Sequence, residues 1–282
     1  MDVQLLAVPY DSGNRSVRMG AGPERLIEAG IQPALTRHGH RVHASIAELP
    51  AGSWQSEIQT GFELMRMLAV GVASAREAGR LPIVLAGNCN TAVGTIAGLG
   101  RDVGVAWFDA HGDLNTPETT TSGFLDGTAL AVITGHCFTR LAATVPGFVP
   151  VSENRVCLIG ARDLDPAESE MLEGSAIELV PPRDVRSRLP RALALIGEHV
   201  ERMYVHIDLD VLDSAVASAN SYAVPGGLTV EDVESALSSI AADFQIAAVT
   251  LSAYDPAADT DGRAAAAAIR LVTYAAGLAG AP

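Results

Sequence analysis

Two short segments carry residues whose types and spacing suit metal-assisted hydrolysis. WFDAHGDLN, Trp107–Asn115, places Asp109, His111 and Asp113 at alternate positions directly after an apolar run. HIDLDVLD, His206–Asp213, places Asp208 and Asp210 in the same way. Carboxylates gathered at the ends of buried strands repel one another and resist desolvation unless a positive charge sits among them. A divalent cation is the simplest such charge, and bridging carboxylates would let these five residues serve two ions. Oxygen-rich ligands with one imidazole favour a hard or borderline ion such as Mn²⁺. In extended chain, alternation turns Asp109, His111 and Asp113 to one side, and Asp208 and Asp210 likewise. Singly, each residue has a plainer reading, since an Asp after a strand is most often a turn former or helix cap. It is the pair of segments in one chain that argues for a metal centre.

A third segment, VLAGNCNTAVG from Val84 to Gly94, runs from an apolar stretch through a small-residue turn that carries Asn88, Cys89 and Asn90. Three readings of Cys89 stand. It is an inert buried thiol, a nucleophile, or a metal ligand whose thiolate a nearby cation stabilises. The nucleophile reading is the weakest, because no histidine partner is visible beside it.

These residues need a scaffold that brings strand ends together. Val3–Pro9, Pro82–Gly87, Val103–Ala110, Arg155–Ala161, Ala176–Val180, Met203–Asp210 and Ile246–Tyr254 read as strands, and their near-continuous apolarity suits burial on both faces. Helical patterns lie between them, for example Glu57–Gly79 and Val230–Phe244, the latter capped by Thr229. This alternation predicts a parallel sheet with helices on both sides, an α/β three-layer αβα fold. Function in such sheets collects at the carboxyl ends of strands, where all three segments fall. No linker or repeat divides the chain, so a single domain over 1–282 is expected.

The chain has 282 residues, enough for a full core, and a net charge of -14. So acidic a protein lacks the basic face that nucleic acid or an anionic membrane requires, which leaves a small molecule as the expected partner. The start, MDVQLLAVPYDSG, lacks the basic segment and apolar run of a signal peptide, and the three cysteines are too few and scattered for a disulfide framework. A cytoplasmic location is therefore expected, without a membrane span.

DAHGDLNTPETTTSG, Asp109–Gly123, resembles the arginase–agmatinase (ureohydrolase) family, whose DAHxDxN and SxDxDxxDP segments hold a pair of Mn²⁺ ions. RMGAGPERLIEAG (Arg18–Gly30), GARDLDPAE (Gly160–Glu168) and VPGGLTVEDV (Val224–Val233) resemble further segments of the family in the same order. The resemblance implies an eight-stranded, mainly parallel sheet, usually assembled as a homo-trimer or homo-hexamer, and hydrolysis of a guanidino carbon by water activated between two metals. It makes Asp109 and Asp208 bridging ligands, Asp113 a ligand of metal A, and His111 and Asp210 ligands of metal B. It assigns Asn115 and Ser122 to the carboxylate, and Asp165 to the ammonium, of an arginine-like amino acid.

Three positions depart from the family pattern. The family's metal A histidine falls on Cys89, a soft sulfur that would weaken Mn²⁺ preference there. The proton-shuttle histidine falls on Asp126, which stands with His111 as a candidate catalytic group. The guanidinium-holding glutamate falls on Ala253. If that segment stays extended, Asp255 projects on the same side as Ala253 and replaces the lost carboxylate, displaced by about 6–7 Å. The expected substrate is L-arginine or its N-hydroxy derivative. The alternatives are another amidine, guanidino or formimino compound, or a non-catalytic metal- or amino-acid-binding role.

Overall fold

The computed structural model describes residues 1–49 and 56–280. Its main sheet has eight strands: β1 (Asp2–Val8), β2 (Arg41–Ile46), β3 (Leu81–Ala86), β4 (Gly104–Phe108), β5 (Val156–Ile159), β6 (Glu178–Val180), β7 (Arg202–Asp208) and β8 (Gln245–Ser252). They lie in the order β2-β1-β3-β8-β7-β4-β5-β6, and every neighbouring pair is parallel. The apolar runs anticipated seven of these strands. The eighth, β2, is an edge strand of largely exposed residues, RVHASI, and so lacks the continuous apolarity that marks the others.

Alternating side chains build the two cores. Ile83 and Leu85 point into one, with the helices Gly22–Glu28, Ile31–Arg37, Val185–Gly197, Val230–Asp243 and Arg263–Ala279 above them. Val84 and Ala86 point into the other, under the helices Glu57–Glu77, Ala92–Leu99, Ala129–Thr134 and Pro166–Gly174. The result is the expected three layers. Thr229 caps its helix as expected, its Oγ1 accepting the Asp232 N–H at 3.1 Å. No described helix is long and apolar enough to cross a membrane.

The helix Ala92–Leu99 matters most for the site, because it begins directly after the Cys89 turn. All eight of its residues are buried. It can lie so close to Glu57–Glu77 because Gly94 and Gly98 face that helix. A Cβ on Gly94 would sit 2.5 Å from the Met65 carbonyl oxygen, and one on Gly98 2.6 Å from Val72 Cβ. Gly98→Ala is therefore expected to destabilise the fold by about 1–3 kcal/mol through overpacking, despite alanine's better helix propensity. Urea unfolding checks this, and a variant as stable as the parent would show that the two helices can separate at no cost.

Candidate active site

The strands end earlier than the apolar runs suggest, and the polar residues leave them at once. Asp109, His111 and Asp113 follow β4 in irregular chain, and Asp210 lies in a 3₁₀ turn after β7. Extended alternation is thus not what gathers them. Two equivalent local turns do it instead. Asp109 Oδ1 accepts the His111 N–H at 2.7 Å, and Asp208 Oδ1 accepts the Asp210 N–H at 2.9 Å. Short carboxylates favour such closures onto the backbone two residues ahead. Asp210 Oδ1 then accepts the Ala110 N–H at 3.2 Å and ties the two turns together. Asp113 has a left-handed φ of 53°, a conformation that Asp tolerates better than most residues. Gly112 before it has no room for a side chain, since Glu168 Oε1 would lie 2.8 Å from its Cβ.

Two ligand groups result, each with atoms within 4.8 Å of one another: Cys89, Asp109 and Asp113, and Asp109, His111 and Asp210. Asp109 belongs to both, as a bridging residue would. Asp208 is outside both groups, but its Oδ2 accepts the Cys89 thiol at 3.0 Å. All of these residues are buried except His111, which is partly exposed. Burial, and then the charge of Asp109, pushes the Asp113 carboxyl well above its ordinary range. Burial, and then Asp210, does the same to Asp208, while Asp210 is raised by burial and Asp109. The Cys89 thiol is pushed well up by burial and by Asp208. Asp113 Oδ2 is buried without a hydrogen-bond partner, and leaving such an atom unpaired costs on the order of 1–3 kcal/mol. One cause, a positive charge among these groups, would reverse every one of these penalties. The donor set therefore fits divalent ions.

His111 lies 3.3 Å from Asp109 Oδ1 and 3.5 Å from Asp210 Oδ2 through Nδ1. Burial opposes its charge, but the hydrogen bond to Asp109 and the charge of Asp210 outweigh burial, and the pKa rises to about 9. With a folded value above the unfolded one near 6.5, His111 stabilises the metal-free protein fully below pH ~6.5. That contribution is lost as pH rises through about 9. A cation at this group must displace the same proton. Its affinity is therefore expected to climb roughly tenfold per pH unit up to about pH 9 and then level off. Calorimetry in buffers of different ionisation enthalpy would detect the released proton; a pH-independent affinity would contradict the assignment.

Cys89, His111, Asp113, Asp208 and Asp210 line a cavity of ≈ 280 Å³ together with Asn115, Ser122, Asp126, Asp165 and Ala253. Asn115 Nδ2 donates to Asp165 Oδ2 at 2.9 Å, joining the two loops. Glu168 supports both, accepting the Leu114 N–H at 3.0 Å and the Asp165 N–H at 2.9 Å. Asp126 is buried, held by Asn88 Nδ2 at 2.9 Å and the Asn90 N–H at 3.2 Å. Burial outweighs those hydrogen bonds and lifts its pKa to about 7.

The expectation for Asp255 also fails. Asp255 is not among the cavity-lining residues. The strand stops at Ser252, and Ala253 takes a left-handed φ of 62°, so the extended geometry needed to aim Asp255 inward is broken. Asp255 instead accepts the Ala257 N–H at 2.9 Å. No carboxylate replaces the family's glutamate from that position.

Two contributors escaped sequence reasoning. Trp107 Nε1 donates to Asp109 Oδ2 at 3.0 Å and fixes the carboxylate common to both groups. Asn220 Nδ2 reaches the Ala253 carbonyl at 2.9 Å and Asp210 Oδ2 at 3.3 Å. The spacing of Trp107 two residues before Asp109 was the available signal for the first; Asn220, in a loop of small residues, had none.

Comparison with known proteins agrees with this geometry. A family model described as the Arginase family matches residues 1–277. An arginase of Brucella melitensis biotype 1 is 30% identical over 296 residues, covering 96% of this chain and 95% of that protein. The crystal structure of an arginase from Bacillus cereus superposes with a TM-score of 0.88 at 27% identity, covering 100% of this chain and 99% of that one. An arginase structure from Bacillus caldovelox gives 0.87 at 26%, with the same coverage. With a matching fold and a family match along nearly its whole length, the chain belongs to the arginase family of binuclear-metal amidinohydrolases.

Proposed function

We propose that the chain hydrolyses the guanidino C–N bond of an arginine-like α-amino acid, with N-hydroxy-L-arginine preferred to L-arginine. The first would yield ornithine and hydroxyurea, the second ornithine and urea. The observation that carries this reading is Ala253 at a cavity wall where the family's guanidinium-holding glutamate belongs, while the Asn115–Asp165 pair is retained. A hydroxyl on the guanidine withdraws electrons and lowers basicity, so such a head group loses less when the carboxylate is missing. Asn115 and Ser122 would receive the substrate carboxylate and Asp165 its ammonium, which favours an amino acid over a decarboxylated amine. Glu168 keeps the two gripping loops in register.

Cys89, Asp109, Asp113 and Asp208 would hold one ion, and Asp109, Asp208, His111 and Asp210 the other. The oxygen- and imidazole-rich group suits Mn²⁺; the sulfur makes its neighbour softer and opens it to Zn²⁺. When bound, the ions supply Lewis acidity and an activated water. Asp126, with a pKa near neutrality, can carry a proton toward the departing nitrogen, a task for which an ordinary carboxylic acid is too strong. The family resemblance also leads us to infer a homo-trimer or homo-hexamer, which light scattering distinguishes.

Parallel assays of hydroxyurea release from N-hydroxy-L-arginine and urea release from L-arginine, on Mn²⁺-loaded protein, test the substrate order. A higher kcat/KM for L-arginine would reverse it. Turnover of neither would return the site to another guanidino or formimino compound or to a binding role.

A further inference from the structure

Beside Cys89 a row of polar groups runs into an otherwise apolar interior. Cys89 Sγ lies 3.1 Å from Ser252 Oγ, and Ser252 Oγ lies 3.1 Å from His206 Nε2. His206 Nδ1 is 2.9 Å from the Tyr204 hydroxyl, which donates to Thr250 Oγ1 at 2.8 Å. Ser252, His206, Tyr204 and Thr250 are fully buried and sit on the neighbouring strands β7 and β8. None of the four lines the cavity. The imidazole is clamped flat against Trp107, with ring centres 3.7 Å apart and planes 10° from parallel. The same Trp107 holds Asp109. So many polar groups in a core are costly unless every one is paired, and here each is.

We propose that Ser252, His206 and Tyr204 are positioning residues for Cys89, a neutral hydrogen-bonded relay that presents the Ser252 hydroxyl to the sulfur when Cys89 holds a cation. The inference rests on the reading of Cys89 as a ligand.

Donor arithmetic gives the relay a definite direction. A neutral imidazole has one N–H and one acceptor nitrogen, and the two ring nitrogens of the fully buried His206 face hydroxyls, not a carboxylate. With Tyr204 donating to Thr250, the His206 Nδ1–H must donate to Tyr204, Nε2 accepts from Ser252, and Ser252 Oγ shares the Cys89 S–H with Asp208 Oδ2. A sulfur bound to a cation has no proton and can only accept. Ser252 then donates to it and accepts from Nε2–H, while Nδ1 accepts the Tyr204 O–H. Ser252, His206 and Tyr204 carry three exchangeable protons between them in both arrangements, so the relay changes tautomer without changing charge. The thiol proton of Cys89 leaves separately to solvent. A sulfur so held is aimed and partly neutralised by its neighbour, as metal ligands generally are by the groups behind them.

Cd²⁺ is the probe, being diamagnetic and tolerant of sulfur. In loaded wild-type protein the ¹¹³Cd resonance should show a sulfur ligand that Cys89→Ala removes. The His206 ring ¹⁵N signals should change from the Nδ1–H to the Nε2–H pattern on loading. Ser252→Ala should weaken Cd²⁺ binding by roughly 10–100-fold. Tyr204→Phe, which leaves Cys89 and Ser252 in place, should weaken it in the same direction and by less, and it stands in if Ser252→Ala does not fold. Sulfur ligation with an unchanged tautomer and unchanged affinity in the variants would overturn the relay alone. A ¹¹³Cd resonance without a Cys89 contribution would overturn the ligation reading and the relay with it.

Discussion

Asp109→Asn is expected to abolish turnover while leaving the metal-free fold intact or slightly stabilised. Asp109 belongs to both ligand groups, so its loss strikes both ions. Removing a supporting residue behind a ligand costs roughly 10–100-fold in metal affinity or activity. Removing a ligand from two ions at once should cost at least the product of two such losses, on the order of 10²–10⁴-fold. The opposite sign in the metal-free protein follows from the repulsion already described. Asp113, Asp208 and Asp210 are each held up partly by the charge of Asp109; asparagine removes that charge, a gain partly offset because its NH₂ must face one of the two N–H donors, from His111 or Trp107, that the carboxylate accepts. Melting temperatures with chelator and with Mn²⁺ should therefore move in opposite directions relative to wild type, because bound ligand stabilises only the form that binds it. Parallel losses in both conditions would mark Asp109 as a structural residue.

The second large effect is a gain. Ala253→Glu should raise kcat/KM for L-arginine by roughly 10–100-fold, since a hydrogen bond to a charged group is worth about 1.5–3 kcal/mol and about 1.4 kcal/mol is tenfold. The backbone cost of a side chain at a φ of 62° is already present with alanine, so glutamate adds little strain of that kind. Ala253→Gln, which offers a carbonyl without the charge, should give a smaller gain. The ratio of the two substrates is the informative number: it should shift toward L-arginine in Ala253→Glu. An unchanged ratio would mean that the guanidino group is gripped elsewhere and that Ala253 does not set the substrate.

How far the molecule can be read from its sequence depends on the kind of residue. The central strands were legible because burial on both faces leaves near-continuous apolar runs, as in Pro82–Gly87. The edge strand Arg41–Ile46 was not, because half-exposed residues at a sheet margin lose that signature. The acidic ligands were legible as a set, since carboxylates ending buried strands demand a neutraliser. Strand alternation does not produce their convergence; backbone N–H groups folding onto Asp109 and Asp208 do. Asp255 fails for a related reason: a single left-handed residue, Ala253, redirects the chain, and no local pattern announces a left-handed alanine. The Tyr204–His206–Ser252 row was out of reach because it depends on the pairing of two strands more than 40 residues apart. The resemblance puts Cys89 at a ligand position, and the fold sets it 3.0 Å from Asp208 and within reach of Asp109 and Asp113.

The most direct test is a chelation and reconstitution experiment with N-hydroxy-L-arginine as substrate and ornithine as the measured product. Protein stripped of metal should release none, and stoichiometric return of two equivalents of Mn²⁺ per chain should restore release. Ornithine formation that persists in chelator, or its absence after both sites are refilled, would contradict the account.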